Sequence, residues 1–102
     1  MHKNDTVEKF RIDKWLFASR FFKTRALAAV AIEKGRVYLN DARVKPAKQL
    51  SIGDMLKIKI GHYQYEVEVL ELSNHRGPAP QAQQLYCETE TSRQQRETIA
   101  SH

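Results

Sequence analysis

Hydrophobic residues recur at helical spacing in two stretches near the start of the chain. The members of the first stretch fall at positions i, i+3, i+4 and i+7 of one helical face, and they are Ile12, Trp15, Leu16 and Ser19. This spacing predicts a short helix over residues 11–20, with Trp15 on its inward face. Asp13 lies in the first turn, where a negative charge suits the helix dipole.

The second stretch is rich in alanine and predicts a helix over residues 25–34. Thr24 is a residue type that caps helix N-termini, and Gly35 is the type that ends helices. The inward stripe of this helix consists of small and aliphatic side chains, namely Ala28, Ala31 and Ile32. Small residues there would let the two helices approach closely, and Asp13 is then placed to pair with Arg25 across them.

Alternation of apolar and polar residues replaces the helical period after residue 35. It predicts short strands over residues 36–40 and 42–45, joined by a turn at Asn40-Asp41. It also predicts longer strands over residues 55–60 and 63–72, joined by a turn at Gly61-His62. The lysines of the third strand would face the acidic side of the fourth in a cross-strand charge pairing, involving Lys57, Lys59, Glu66, Glu68 and Glu71.

These patterns divide the chain into three parts. Residues 1–8 are predicted to be a flexible arm, and residues 9–72 a single domain. Residues 73–80 have the composition of a linker. Residues 81–100 predict one or two helices that dock weakly, with disorder beyond about residue 90 as the alternative. Residues 73–102 are therefore interpreted as a linker followed by a helical or partly disordered tail.

Charge is distributed unevenly along the chain. Residues 9–59 carry 13 Lys and Arg against 4 Asp and Glu, a net charge of +9, whereas residues 60–102 carry 3 against 6, a net charge of −3. Such a surplus in one half favours an anionic partner. The first ten residues lack the apolar core of a signal peptide, and no stretch approaches the roughly 18 apolar residues of a membrane span. With a single cysteine, Cys87, the sequence favours the cytoplasm and no membrane association.

The candidate binding residues are the cations around the predicted helix pair and the loop that follows, together with one hydroxyl: Arg11, Lys14, Arg20, Lys23, Thr24, Arg25, Arg36, Lys45 and Lys48. A run of Lys and Arg on one surface can neutralise several phosphates of a nucleic acid and release counterions. The start of the second helix adds outward backbone N–H groups to the hydroxyl of Thr24. The alternative is a solvated basic face without a partner.

Other residues indicate packing more than chemistry. Phe17, Phe21 and Phe22 fit a core, with base stacking by one of them as the alternative, and Tyr38 alternates outward where it could touch RNA. The histidines lack metal-ligand spacing, and no nucleophile motif, paired-carboxylate signature or phosphate loop is present. We therefore expect no metal, no cofactor and no enzymatic activity.

Five blocks of sequence in order resemble the RNA-binding domain named after ribosomal protein S-four, also called the alpha-L motif. They are R-x-D-x-W-L from Arg11, T-R-x-x-A from Thr24, I-x-x-G-x-V-x-x-N from Ile32, V-K-P from Val44 and G-D from Gly53. The similarity covers roughly residues 9–72. The segment R-G-P-A-x-x-A-x-x-L-Y-x-E-T from Arg76 is similar to the ribosome-associated heat-shock family of about fifteen kilodaltons.

The resemblance implies an α+β fold with two helices packed on a small, mainly antiparallel sheet, plus a C-terminal helical extension. It also implies binding of structured ribosomal RNA and of large subunits that hold a stalled nascent chain on tRNA, aiding their rescue or recycling. The RNA-contacting residues that it carries over are Arg11, Lys14, Lys23, Thr24, Arg25, Arg36, Lys45 and Lys48. Asp41 stands where the family usually has glycine, so the residue at that turn is acidic and less flexible.

The resemblance leaves two further classes of function open. The domain also serves as the RNA-targeting module of larger RNA-modifying enzymes, and a basic face could serve as an adaptor for an acidic protein. We expect a monomer whose partners are ribosomal RNA, the large subunit and the peptidyl-tRNA held there.

Overall fold

Two short helices open the fold, close to the predicted ranges. A computed structural model describes residues 10–100 of the chain. Helix α1 spans Ile12–Ala18 and helix α2 spans Arg25–Glu33. The predicted inward face of α1 is buried, since Ile12, Trp15 and Leu16 are fully inaccessible to solvent. The indole N–H of Trp15 also donates to the carbonyl of Glu71 at 2.9 Å, so this core residue ties α1 to the far end of the chain.

Helix α2 begins and ends at the residues that the sequence indicates. The backbone N–H of Leu27 donates to the hydroxyl of Thr24 at 3.0 Å, which makes Thr24 the N-cap. Gly35 follows the helix with a φ of +75°, a left-handed conformation that favours glycine. Ala28, Ala31 and Ile32 are buried, as predicted, and pack towards α1 and the sheet.

A five-stranded antiparallel sheet covers one side of the helices. The strands are β1 (Val37–Leu39), β2 (Ala42–Arg43), β3 (Met55–Ile60), β4 (Tyr63–Val69) and β5 (Tyr86–Glu88). Their order across the sheet is β2-β1-β3-β4-β5. Every second residue of the central strands points into the core against the helices, and these are Val37, Leu39, Leu56, Ile58, Val67 and Val69. The predicted α+β fold is confirmed.

The two hairpin turns form where the sequence predicts them. Asn40 and Asp41 have φ values of +49° and +68°, so Asp41 adopts the left-handed conformation that glycine would adopt at lower cost. The side chain of Asn40 fastens this turn to β3, because its oxygen accepts the N–H of Met55 at 2.9 Å. Gly61 has a φ of +60° between β3 and β4.

The segment after residue 72 differs most from the prediction. It contains helix α3 (Ala79–Ala82), a 3₁₀ turn at Gln83–Leu85, strand β5 and helix α4 (Glu90–Ala100). The helical prediction is therefore wrong at residues 86–88, which pair with Val67, Glu68 and Val69 of β4. A three-residue strand is too short to show a period, and it forms because the edge of β4 offers unpaired backbone groups.

The division of the chain at residue 72 remains a prediction, but one hydrophobic core spans it. Leu85 belongs to that core, and the ring of Tyr86 lies 6.5 Å from that of Trp15 in an edge-on contact. Helix α4 is attached to β4 by Ser92, whose hydroxyl accepts the N–H of Glu66 at 2.9 Å. The predicted arm at residues 1–8 lies outside the described residues.

Two strand predictions also need correction. The strand predicted over residues 42–45 ends at Arg43, and the one over 63–72 ends at Val69. The cross-strand register places Glu66 opposite Lys57, but Gln64 faces Lys59. The expected charge pairing is therefore incomplete, because the ammonium of Lys57 contacts the carboxylate of Asp41 at 2.8 Å instead.

Candidate nucleic-acid interface

A buried carboxylate organises the basic residues at the start of the two helices. The side chain of Asp13 is only 2% exposed, and its Oδ2 atom accepts from Arg11 at 2.9 Å and from Arg25 at 3.3 Å. Its Oδ1 atom accepts the backbone N–H of Lys14 at 2.7 Å. The predicted pairing of Asp13 with Arg25 is confirmed. Both guanidinium groups remain partly exposed, so the carboxylate orients two cations that still face solvent.

The loop of residues 45–49 is hydrogen-bonded to the beginning of α1. The N–H of Ile12 donates to the carbonyl of Lys48 at 2.8 Å, and the N–H of Asp13 donates to that of Pro46 at 3.3 Å. These carbonyls satisfy helix N–H groups that Arg11, the N-cap residue, leaves uncapped. The loop carries the cations Lys45 and Lys48 to the same end of α1 as Asp13.

Seven of the nine candidates lie on the elements that meet at the start of α1, through the contacts of Asp13 and the backbone bonds of the loop. They are Arg11, Lys14, Lys23, Thr24, Arg25, Lys45 and Lys48, and we call them the helix–loop surface. Lys23 and Thr24 immediately precede Arg25, and the exposed stretch 23–27 forms the start of α2. Because Thr24 uses its oxygen to cap the helix, its hydroxyl hydrogen stays available as a donor.

The other two candidates lie elsewhere. Arg20 follows the C-terminal end of α1 with a φ of +69°, and its guanidinium donates to the carbonyl of Gly77 at 3.0 Å. It fastens the C-terminal segment to the helices. Arg36 lies on the sheet face that points away from the helices, in a groove with Lys57 and Lys59. The helix pair, the loop and Arg36 thus do not form one continuous patch.

The groove that contains Arg36 was not predicted as a site. Its lining also includes Tyr38, whose outward position the sequence did indicate. The alternation of Lys57 and Lys59 was visible in the sequence. Their position beside Tyr38 was not, because it requires the pairing of β1 with β3, two strands that are not consecutive.

The aromatic residues near the helices serve packing. Trp15 is fully buried, as predicted, and Phe21 and Phe22 are partly buried against the core. The ring of Phe21 lies 4.7 Å from that of Tyr86. The guanidinium of Arg76 lies 5.2 Å from the centre of the Phe17 ring, a cation–π contact.

Ion pairing differs between the two halves of the described chain. The arginines of α4 are paired: Arg93 with Glu90 and Glu97, and Arg96 with Glu88 at 2.8 Å. The hydrogen bonds that Arg93 donates to Glu90 and Arg96 donates to Glu88 are the main reason that the pKa of each arginine is raised. Within the described residues, four cations of the helix–loop surface have no side-chain hydrogen bond or ion pair, namely Lys14, Lys23, Lys45 and Lys48. Their charges remain available for a ligand.

Neither a metal site nor a membrane span is found between residues 10 and 100. No group of three His, Cys, Asp or Glu side chains there could hold a metal ion. No helix in this range is long and apolar enough to cross a bilayer.

The fold and the cluster of cations are those of a small RNA-binding domain. Residues 10–56 match the family described as the S4 domain. The chain is 46% identical over 93 residues to the heat shock protein 15 homolog of Haemophilus influenzae, covering 91% of this chain and 71% of that protein. The chain therefore belongs to the heat shock protein 15 family.

Two further relatives extend the comparison. A solved structure of Vibrio cholerae heat shock protein 15 matches with a TM-score of 0.88 and 44% identity, covering 92% of this chain and 95% of that one. That protein is described as trimeric, so the expected monomer is not confirmed. The RQC P-site tRNA stabilizing factor of Streptococcus pneumoniae is 34% identical over 64 residues, covering 63% of this chain and 73% of that factor. The names of these relatives indicate no enzyme family.

Proposed function

We propose that the chain binds structured ribosomal RNA through the helix–loop surface. On large ribosomal subunits that carry a stalled nascent chain on tRNA, this binding aids their rescue or recycling. The observation that carries the proposal is the buried Asp13, which orients Arg11 and Arg25 on elements that also carry four cations with no ion pair among residues 10–100. Each phosphate that a cation neutralises releases counterions. Several cations held on one surface therefore bind RNA more tightly than one cation does.

The names of the relatives support the ribosomal part of this proposal. One relative is named as a homolog of heat shock protein 15, and another is named as a stabilizing factor of the P-site tRNA. The match to the S4 domain, over residues 10–56, includes the two helices and the loop that carry the helix–loop surface. A rigid surface of this size reads the shape and backbone of folded RNA, so we expect little dependence on base sequence.

Lys23 and Lys48 are the residues that test this surface most cleanly. Both are exposed, and neither side chain bonds to another described residue. The double variant Lys23→Glu/Lys48→Glu should lower the affinity for large subunits by about tenfold or more, because two phosphate contacts become repulsions. Co-sedimentation of the purified chain with subunits that carry peptidyl-tRNA measures this affinity.

The control is Lys34→Glu, which makes at the other end of α2 the same charge change as each single substitution of the double variant. Lys34 is exposed and lies after the last residue of that nine-residue helix, roughly 14 Å from its start at 1.5 Å per residue. It should retain near wild-type binding. Equal losses for the control and the double variant would reduce the effect to overall charge and contradict the proposed surface.

Nuclease treatment separates RNA from an acidic protein partner. If the chain is captured with ribosomal particles, digestion of the RNA should release it. Retention on digested material would favour the adaptor function and reject RNA binding. Comparison of subunits with and without peptidyl-tRNA tests the rescue role, which requires preferential binding to the loaded subunits.

A further inference from the structure

The outward face of the sheet carries a second basic groove, on the side away from the helices. It has a volume of about 270 Å³, and its lining includes Arg36, Tyr38, Asp41, Lys57, Lys59 and Gln64. Residues directly paired in antiparallel strands share a face, and Tyr38 is paired with Lys57 on one side and Arg43 on the other. Lys59 is paired with Gln64, and its N–H donates to the carbonyl of Arg36 at 2.8 Å.

The groove keeps a surplus of positive charge. The side chains of Arg36 and Lys59 make no hydrogen bond or ion pair with any other described residue. Lys57 is paired with Asp41, and that hydrogen bond is the main cause that raises the pKa of Lys57. The lining holds three cations against the carboxylate of Asp41, and Glu66 lies opposite Lys57 on the neighbouring strand, so the positive charge that remains for an anion is that of Arg36 and Lys59.

Tyr38 gives the groove a flat aromatic surface that the core does not use. Its neighbours Val37 and Leu39 are buried, whereas Tyr38 is 36% exposed. An exposed ring flanked by cations is the arrangement that binds single-stranded nucleic acid, because the base stacks and the backbone is neutralised. The volume lies just below the roughly 300–1,000 Å³ of small-ligand sites, a size that suits one nucleotide.

We propose that this groove binds an unpaired nucleotide of the RNA that the helix–loop surface holds. The base stacks on Tyr38, and its phosphate lies between Arg36 and Lys59. The ligand class rests on the RNA-binding function proposed above, but the site uses separate residues on the opposite face of the sheet. The chain would then contact folded RNA with one face and a single-stranded segment with the other.

The test uses a fluorescently labelled single-stranded RNA hexamer and the full chain, with affinity read by anisotropy. Tyr38→Ala should weaken binding by about fivefold to a hundredfold, the range for loss of one stacked base, whereas Tyr38→Phe should retain it. Asp41→Asn should strengthen binding by up to about fivefold, because it frees Lys57 and keeps a residue type that tolerates positive φ. A gain of affinity cannot arise from unfolding.

Several outcomes would overturn the groove as a nucleotide site. One is equal hexamer affinity for wild type and Tyr38→Ala. Another is displacement of the hexamer by hexaglutamate at equal concentration, which would make the groove a site for acidic peptides. Lys23→Glu/Lys48→Glu should keep the dependence of hexamer binding on Tyr38. The two proposals can also fail separately. If the wild-type chain does not bind ribosomal subunits but its hexamer binding depends on Tyr38, the proposed function is wrong and the groove is still a nucleotide site.

Discussion

Arg25, the first residue of α2, donates a hydrogen bond across the helix pair to the buried carboxylate of Asp13 at 3.3 Å. The contact joins the N-terminal ends of both helices, and Arg11 completes it from the residue before α1. Arg25 therefore has two roles, because it sets the position of α2 and presents charge to solvent.

Replacing the buried carboxylate of Asp13 tests whether RNA binding depends on the orientation of Arg11 and Arg25 or only on positive charge. Asp13→Asn should lower the free energy of unfolding by about 1–3 kcal/mol, because charge-assisted hydrogen bonds to both arginines and to the N–H of Lys14 are weakened. It should also weaken RNA binding although the net charge rises by one. Urea denaturation and anisotropy measure the two effects. Tighter RNA binding by the variant would mean that charge alone matters.

Charge reversal at Arg25 should lower stability, whereas charge reversal at the neighbouring Lys23 should leave it nearly unchanged. Arg25→Glu places a second carboxylate beside the buried Asp13, so it should lower the melting temperature by several degrees. Lys23→Glu is exposed and unpaired within the described residues, and it should leave the melting temperature within about 2 °C of wild type. Thermal melts followed by circular dichroism compare them. A loss of RNA binding by Arg25→Glu alone is therefore ambiguous, whereas a loss by Lys23→Glu reports the surface.

The single tryptophan reports whether the C-terminal segment belongs to the core. Trp15→Phe removes the hydrogen bond to the carbonyl of Glu71 and leaves a partial cavity. The substitution should lower the free energy of unfolding by about 2–4 kcal/mol. This is somewhat less than the loss expected when a buried tryptophan is truncated to alanine. Urea denaturation followed by far-ultraviolet circular dichroism provides the measurement. A cost below 1 kcal/mol would contradict the close packing of α1 against residues 71 and 86.

Acid should loosen the attachment of α4 through Glu88. Burial favours the neutral form of this carboxyl, but hydrogen bonds from Arg96 and Ser92 outweigh that effect and hold its pKa below the usual 4.5. A lowered pKa stabilises the folded chain above the unfolded value, and this stability is lost as the pH falls through the folded value. Glu88→Gln should therefore lose less stability than wild type between pH 5 and pH 3.

Urea denaturation at several pH values provides the comparison. Because the other carboxyl groups titrate in both proteins, only the difference between the two stability curves reports Glu88. Parallel curves would exclude a contribution from the Arg96–Glu88 pair.

Local chemistry made several features predictable. Thr24 caps α2, Gly35 ends it, and the Asn40-Asp41 turn joins β1 to β2, because each depends on residues a few positions apart. The inward faces of the helices followed from spacing alone. Even the long-range pairing of Asp13 with Arg25 could be inferred, since a lone acid among cations at two facing helix starts has few other partners.

Features that depend on distant pairing were not predictable. β5 is only three residues long, and the open edge of β4 makes it a strand. The sequence groups Arg20 with the other cations of the helix pair. Its hydrogen bond to the carbonyl of Gly77 is visible only in the structure. The sequence pattern pairs Lys57 with the acidic strand β4. In the structure the left-handed turn brings the carboxylate of Asp41 to 2.8 Å from the ammonium of Lys57.

The helices, their caps, the turns and the basic character of the N-terminal half follow from near neighbours along the chain, because sterics and charge act over short distances. Which cations share a surface depends on long-range contacts. The loop at residues 45–49 lies beside α1 because its carbonyls satisfy the N–H groups of Ile12 and Asp13. Arg36 faces the other way because burying Val37 in the core turns its neighbours outward.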